Sequence, residues 1–294
     1  LLHRNHPKLQ RTKIKIRTIM GTFGGAQPIV TDGLVFAIDA ANYESYTSGS
    51  TTWSDLSGNG NNGTLTNGPT FDSGNGGSIV FDGTNDYVDY GTSLGNGWSE
   101  ITVQTWTKPA TFPNSNFIFE HLVVADDNSS SGLESVFALV IDHLNNPTYL
   151  PSSFEGNLIH FGIRTSNQTS RNRPIVIPDS NSYTDYIRGV AISVNPVEYA
   201  LDTWMFLTGT FNGSETKLYI NGQFKATSNN QPDDANRSLT GVLNTSSINR
   251  RIGSNSNGAN PFTGKIPLTQ IYNRALSSTE ITQNYNALKG RFGL

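Results

Sequence analysis

The chain has 294 residues and a net charge of −3, with 35% apolar, 15% charged and 10% aromatic side chains and no cysteine. Ordinary globular chains carry about 45–50% apolar and about 25% charged residues; here small polar residues fill the gap, with 32 Asn and 29 Gly. Low charge with ample aromatics excludes a disordered chain, zero Cys excludes disulfide scaffolds, thiolate metal sites and cysteine nucleophiles, and no apolar run approaches the length of a membrane span.

Charge is uneven. Residues 1–19 hold six Lys/Arg and no acid, so the remainder has 14 bases against 23 acids, a net of −9. Residues 1–32 read as a basic N-terminal arm ending in a Gly-rich joint, and 33–294 as one sandwich domain with long loops over about 110–200. Met20-Gly21-Thr22 also reads as a natural start, which makes the first 19 residues either a genuine arm or upstream sequence. Lys13, Ile14, Lys15, Ile16 and Arg17 alternate with period two, so this stretch is suited to add as a strand to an exposed sheet edge of another subunit. No apolar leader precedes it, so no secretory signal is visible.

Taken in order, Gly33 to Asp39 reads as the first buried strand and 53–63 as a turn-rich stretch. Ser78 to Phe81 and Tyr87 to Tyr90 flank the turn Asp82-Gly83-Thr84-Asn85-Asp86. Residues 101–106 alternate as a half-buried strand does. Phe117–Phe119, Val136–Ile141 and Leu158–Ile163 read as strands among long polar loops. Three alternating runs follow, 205–211, 217–220 and 223–226. The last two are joined by Asn221-Gly222 alone, a pair suited to a type I′ hairpin turn. Ser277 and Glu280 form a capping box, Ile281, Tyr285 and Leu288 share a helical face, and Gly290 is the expected stop. The fold class is all-β: two antiparallel sheets with one short C-terminal helix.

Several motifs match chemistry on paper only. Gly58 to Gly63 spells G-x-G-x-x-G, but Thr64 to Pro69 cannot open the helix a dinucleotide needs. Gly91 to Gly95 spells G-x-S-x-G and runs into another turn. No two of the 23 acids stand at i, i+2, so no strand carries two carboxylates two positions apart on one face; convergence of carboxylates from different strands stays open, and no enzyme is expected. Calcium is a candidate cofactor. Asp55 and Asn59 lie in a loop with oxygen side chains at alternate positions, and Asp82, Asn85 and Asp86 form a second oxygen cluster. The same residues also make Asx-turns without a metal. Trp106 and Trp204 fall in strand patterns and belong to the core, together with Phe36, Val80, Phe81, Phe206 and Leu218; Val80 and Phe81 cannot share one face. Trp53 and Trp98 lie in Gly/Asn loops, where an exposed ring stacks on a sugar.

Read together, GLVFAID (33–39), WSDLSGNGNNGTL (53–65), IVFDGTNDYV (79–88), ITVQTWTKP (101–109), WMFLTGTFNGSETKLYING (204–222) and residues 264–288 resemble the laminin-G-like branch of the concanavalin-A-like lectin/glucanase superfamily. The resemblance covers roughly 33–290 and implies a jelly-roll sandwich with a ligand- or calcium-binding rim. The phrasing also resembles modules in virion structural proteins of tailed bacteriophages. It implies a non-enzymatic virion component whose partners are other virion subunits, copies of itself and cell-surface glycan, without nucleic acid or membrane. A secreted or cell-surface carbohydrate-binding adhesin, and so an extracellular location, is the alternative.

Overall fold

The computed structural model describes residues 27–110, 119–125, 136–144, 156–166, 188–194, 201–229, 240–255 and 261–294. Among these, sixteen strands and one α-helix follow in order: β1 (Leu34–Asp39), β2 (Thr52–Trp53), β3 (Gly63–Thr66), β4 (Thr70–Asp72), β5 (Ser78–Asp82), β6 (Tyr87–Asp89), β7 (Ile101–Pro109), β8 (Phe119–Ala125), β9 (Phe137–Leu144), β10 (Gly156–Ile163), β11 (Arg188–Val194), β12 (Met205–Phe211), β13 (Glu215–Ile220), β14 (Gln223–Asn229), β15 (Arg251–Ile252), β16 (Thr263–Tyr272) and α1 (Ser278–Leu288). The proposed arm strand Lys13 to Arg17 and most of the long loops lie outside the described residues. Strand β11 was not legible in the alternation and lies in the stretch read as loop-rich.

Two eight-stranded antiparallel sheets result. The first runs β14-β13-β12-β7-β16-β5-β4, with β1 also paired to β16; the second runs β11-β10-β9-β8-β15-β6-β3-β2. β16 is long enough to hold two partners on one side, β5 along Thr263–Ile266 and β1 along Leu268–Tyr272. Side chains alternate between the faces of a strand. Ile101 and Val103 of β7, Met205, Leu207 and Phe211 of β12, and Phe137, Leu139 and Ile141 of β9 meet in one buried layer between the sheets. Gly209 keeps that layer thin: a Cβ there would lie 2.1 Å from the Phe161 ring of the facing sheet.

Strand β7 is buried on both sides, because its other face is also covered. Trp106, Phe206 and Leu268 form a second apolar cluster with Ile29, Leu288 and Phe292, outside the inter-sheet layer. Trp106 stacks on Phe292 with ring centroids 4.1 Å apart and on Tyr285 at 5.7 Å. The expected core residues are therefore buried, but Trp106, Trp204 and Phe206 belong to the layer beneath the C-terminal helix. Of the Val80–Phe81 pair, Phe81 is buried and Val80 half-buried, as alternation requires.

The capping box of Ser277 and Glu280 forms as expected. The stop differs: after Leu288 the chain tightens into a 3₁₀ turn, Lys289–Phe292, and the left-handed residue is Gly293 at φ 76°. Asn221 and Gly222 both have positive φ, 51° and 76°, as a type I′ turn demands. Among the described residues, no helix is long and apolar enough to cross a membrane.

Candidate functional site

The two outer faces of the sandwich are unlike. On the first sheet, α1 and residues 29–30 close over a polar network. Asn284 donates to Gln104 Oε1 at 2.7 Å and to the Tyr272 hydroxyl at 3.0 Å, and accepts from Val30 N–H at 2.8 Å. Tyr272 donates to the Val30 carbonyl and Gln104 to Thr208 Oγ1. Burial pushes the Tyr272 phenol pKa up. Over β7, β12 and β16 this face is covered, while Phe224 of β14, in ring contact with Tyr219, stays 53% exposed at its edge.

Among the described residues no helix packs on the outer face of the second sheet. Ala138 and Val140, on the far side of β9 from its core residues, form a small buried pair of their own. The open part lies over β15, β6, β3 and β2. Register sets Thr52, Thr64, Asp89 and Arg251 in one cross-strand row, with Tyr87 and Thr66 in the next. The Arg251 guanidinium lies over the Tyr87 ring, 3.9 Å from its centroid. Its Nε is 3.8 Å from Asp89 Oδ2, and its Nη1 donates to the Asn255 carbonyl at 3.3 Å. Asn249 donates to Asp89 Oδ2, while Asp89 Oδ1 accepts Gly91 N–H at 3.0 Å. An aromatic ring, a stacked guanidinium, a carboxylate and an amide thus stand together, each held by a neighbour.

The rim beside this patch is equally fixed. Asp89 leads into loop 91–98, and loop 240–250 leads into Arg251. Arg250, fully buried, holds both loops: it donates to the carbonyls of Leu94, Ser246 and Ile248 and to Asn96 Oδ1. Trp98 sits on this rim, half-buried and packed against the inter-sheet layer. Its amide donates to the Gly95 carbonyl at 3.2 Å, and its carbonyl accepts Leu243 N–H at 2.7 Å.

Trp53 does not reach this surface. It is fully buried, facing inward from β2 with Tyr46 edge-on at 6.3 Å. The neighbouring Gly63 makes room, since a Cβ there would meet Val88 at 2.5 Å. The Gly/Asn surroundings suggested a loop, whereas a two-residue strand turns the indole into the core.

The expected calcium ligands are engaged in turns. Asp55 Oδ1 accepts the N–H groups of Ala37 and Ser57, and its Oδ2 accepts Ser57 O–H and Asn61 N–H. Asn59 donates to Ser57 Oγ and the Val35 carbonyl. With four donors on one carboxylate, Asp55 and Asn59 do not fit a cation site. At the other cluster Asp82 Oδ1 accepts Thr84 N–H and Asp86 Oδ2 accepts Asp82 N–H. Asp86 is buried, and burial first, then the adjacent Asp82, raises its pKa; Asn85 is exposed and its carbonyl accepts from Asn67. Asp82 and Asp86 thus hold their own turn through backbone N–H groups. The two clusters lie apart. Ala37 pairs with Gln270 and Asp82 with Thr263, about 23 Å along β16 at about 3.3 Å per residue.

Sequence reasoning missed Tyr87, Asp89, Asn249 and Arg251. The period of two in Tyr87-Val88-Asp89 marks a shared face for the first and third, but β15 is only two residues long and its pairing with β6 leaves no local trace. Exposed Tyr43, at 81%, also escaped notice.

This is a lectin-like antiparallel sandwich, with the helix packed on its first sheet and a polar patch over β15, β6, β3 and β2 of its second. A laminin G family model, described as the concanavalin A-like lectin/glucanases superfamily, matches residues 82–282, well over half of the chain, and the chain belongs to that superfamily. No curated protein sequence matches it. Among solved structures it is similar to domain 4 of AbnA, an extracellular arabinanase from Geobacillus stearothermophilus, in complex with arabinotriose: 18% identity, TM-score 0.52, covering 86% of this chain and 98% of that one. It is also similar to the ligand binding domain of botulinum neurotoxin serotype D in complex with N-acetylneuraminic acid (14%, TM-score 0.56, 87% and 51%). The binding domain of Paraclostridial Mosquitocidal Protein 1 is a third (18%, TM-score 0.55, 87% and 52%). The chain spans about half the length of the toxin domains. At these identities the likeness is one of fold.

Proposed function

We propose that this chain is a non-enzymatic carbohydrate-recognition module whose contact surface is the Tyr87–Asp89–Asn249–Arg251 patch with the adjoining Trp98 rim. The observation that carries the reading is the contrast of faces: one outer face is covered by α1, while the other displays preorganised groups of the kind that bind hydroxyl-rich rings. Aromatic platforms and planar polar side chains held by their neighbours lose little freedom on binding. Superfamily membership and structural neighbours solved with arabinotriose and with N-acetylneuraminic acid support it. The absence of any i, i+2 acid pair supports binding rather than hydrolysis. Calorimetry or surface binding of the full chain against an oligosaccharide panel tests the reading. Tyr87→Ala is expected to weaken a bound sugar by at least about tenfold, because it removes the ring that holds Arg251 in place; binding that survives at wild-type strength rejects the patch.

The setting we propose is a bacteriophage virion, with the basic arm gripping the acidic body of a neighbouring subunit or copy. The resemblance in wording and the charge split support it. Sedimentation of the full chain against one lacking residues 1–19 tests the assembly half: the truncated chain is expected to stay folded and fail to associate.

A further inference from the structure

We infer that the patch selects neutral over acidic glycans, a refinement that rests on the carbohydrate reading above. Arg251 is the one cation in the patch, and a sugar carboxylate is best met by a fork of two parallel N–H donors. That fork is partly engaged. Nε is buried and faces Asp89 Oδ2 at 3.8 Å, Nη1 donates to the Asn255 carbonyl, and one face of the guanidinium rests on Tyr87. Among the described residues this leaves Nη2 and one N–H of Nη1 for a ligand, beside the Asp89 carboxylate that already offsets their charge.

Asp89 acts in the same direction. Its side chain is 20% exposed against 14% for Arg251, so an incoming carboxylate meets the acid of the pair at least as readily as the base. Like charges brought together at a desolvating interface cost several kcal/mol. The rest of the row is hydroxyl and amide: Thr52, Thr64, Thr66 and Asn249 carry no charge. These groups donate to and accept from sugar hydroxyls, and Asp89 Oδ2 is an acceptor for a hydroxyl hydrogen.

Matched pairs of oligosaccharides test this with the full chain: lactose against 3′-sialyllactose, and galacto- against galacturono-oligosaccharides, read by calorimetry at low and high salt. The neutral member of a pair is expected to bind at least about tenfold more tightly, with an affinity that salt leaves unchanged. Asp89→Asn keeps an acceptor for Gly91 N–H, removes the charge and frees Arg251, so affinity for the acidic member should rise and become salt-sensitive. Acidic members that bind the wild type as tightly as neutral ones overturn the inference while leaving the carbohydrate reading intact, and so does an Asp89→Asn chain that shows no gain. No binding to any member of either pair overturns both.

Discussion

The two outer faces of this sandwich are built from the same kind of strand, yet one is a second core and the other a display. Beneath α1, the first sheet carries Trp106, Phe206, Leu268 and Tyr272, which need cover. On the second sheet, β6 and β3 carry Asp89, Tyr87, Thr64 and Thr66, which do not. The helix is placed by the side chains it must hide, and the polar row is left free for a partner. Architecture alone does not separate a stabilising surface from a binding one; the composition of the outward positions does.

That contrast can be broken most sharply at Trp106. Trp106→Ala removes the ring stacked between Phe292, Tyr285 and Phe206, and is expected to lower unfolding free energy by ~3–5 kcal/mol. Tyr87→Ala, the matching aromatic truncation on the second sheet, loses the Arg251 contact and should cost only about 1 kcal/mol. Equal losses in denaturant titrations would erase the distinction between the faces.

Asn284→Ala comes next. It leaves Val30 N–H, Gln104 Oε1 and the Tyr272 hydroxyl short of a partner under the helix, an expected loss of about 2–3 kcal/mol. A shift below half a kcal/mol, on the order of surface changes, would mean the network does not hold the cover.

A smaller effect follows from pH. Arg274, hydrogen-bonded to Glu280 at the start of α1, holds the Glu280 carboxyl down to about 2 from an ordinary 4.5. A depressed folded-state pKa gives stability that is full above the unfolded value and lost as pH falls through the folded one. The thermal midpoint of the wild type should therefore fall more steeply between about pH 5 and 2 than that of Glu280→Gln. Parallel profiles would remove Glu280 from the clamp.

Calcium is expected to do least. With Asp55 engaged by four donors and Asp86 buried in its turn, millimolar calcium should leave the thermal midpoint of the chelated protein unchanged. A clear upward shift would return the Asp82–Asp86 turn to candidacy as a cation site.

Much of the frame was legible because it is local. Asn221-Gly222 fixed a hairpin, Ser277 and Glu280 a helix start, and the alternation of 101–106 and 205–211 two central strands. What escaped is non-local or exceptionally short. Trp53 lies in a two-residue strand whose inward turn depends on Gly63 leaving room beside Val88. Arg250 and Arg251 are neighbours with opposite fates, one buried across two loops and one laid on Tyr87, and nothing in the pair says which. The partners of Asp55 were hidden for a related reason: the donors that occupy it include Ala37, 18 residues away on β1.

The clamp of residues 28–30 against α1 has a practical side. The Gln283 amide donates to the Pro28 carbonyl, and Val30 N–H donates to Asn284, so residue 28 and the closing helix share the covered face. A tag or tether joined before residue 27, or a surface anchor on α1's exposed side, would orient the molecule with its Tyr87 patch turned away from the support. The same geometry suits a module mounted on a larger body: held by its back, it presents the polar sheet outward.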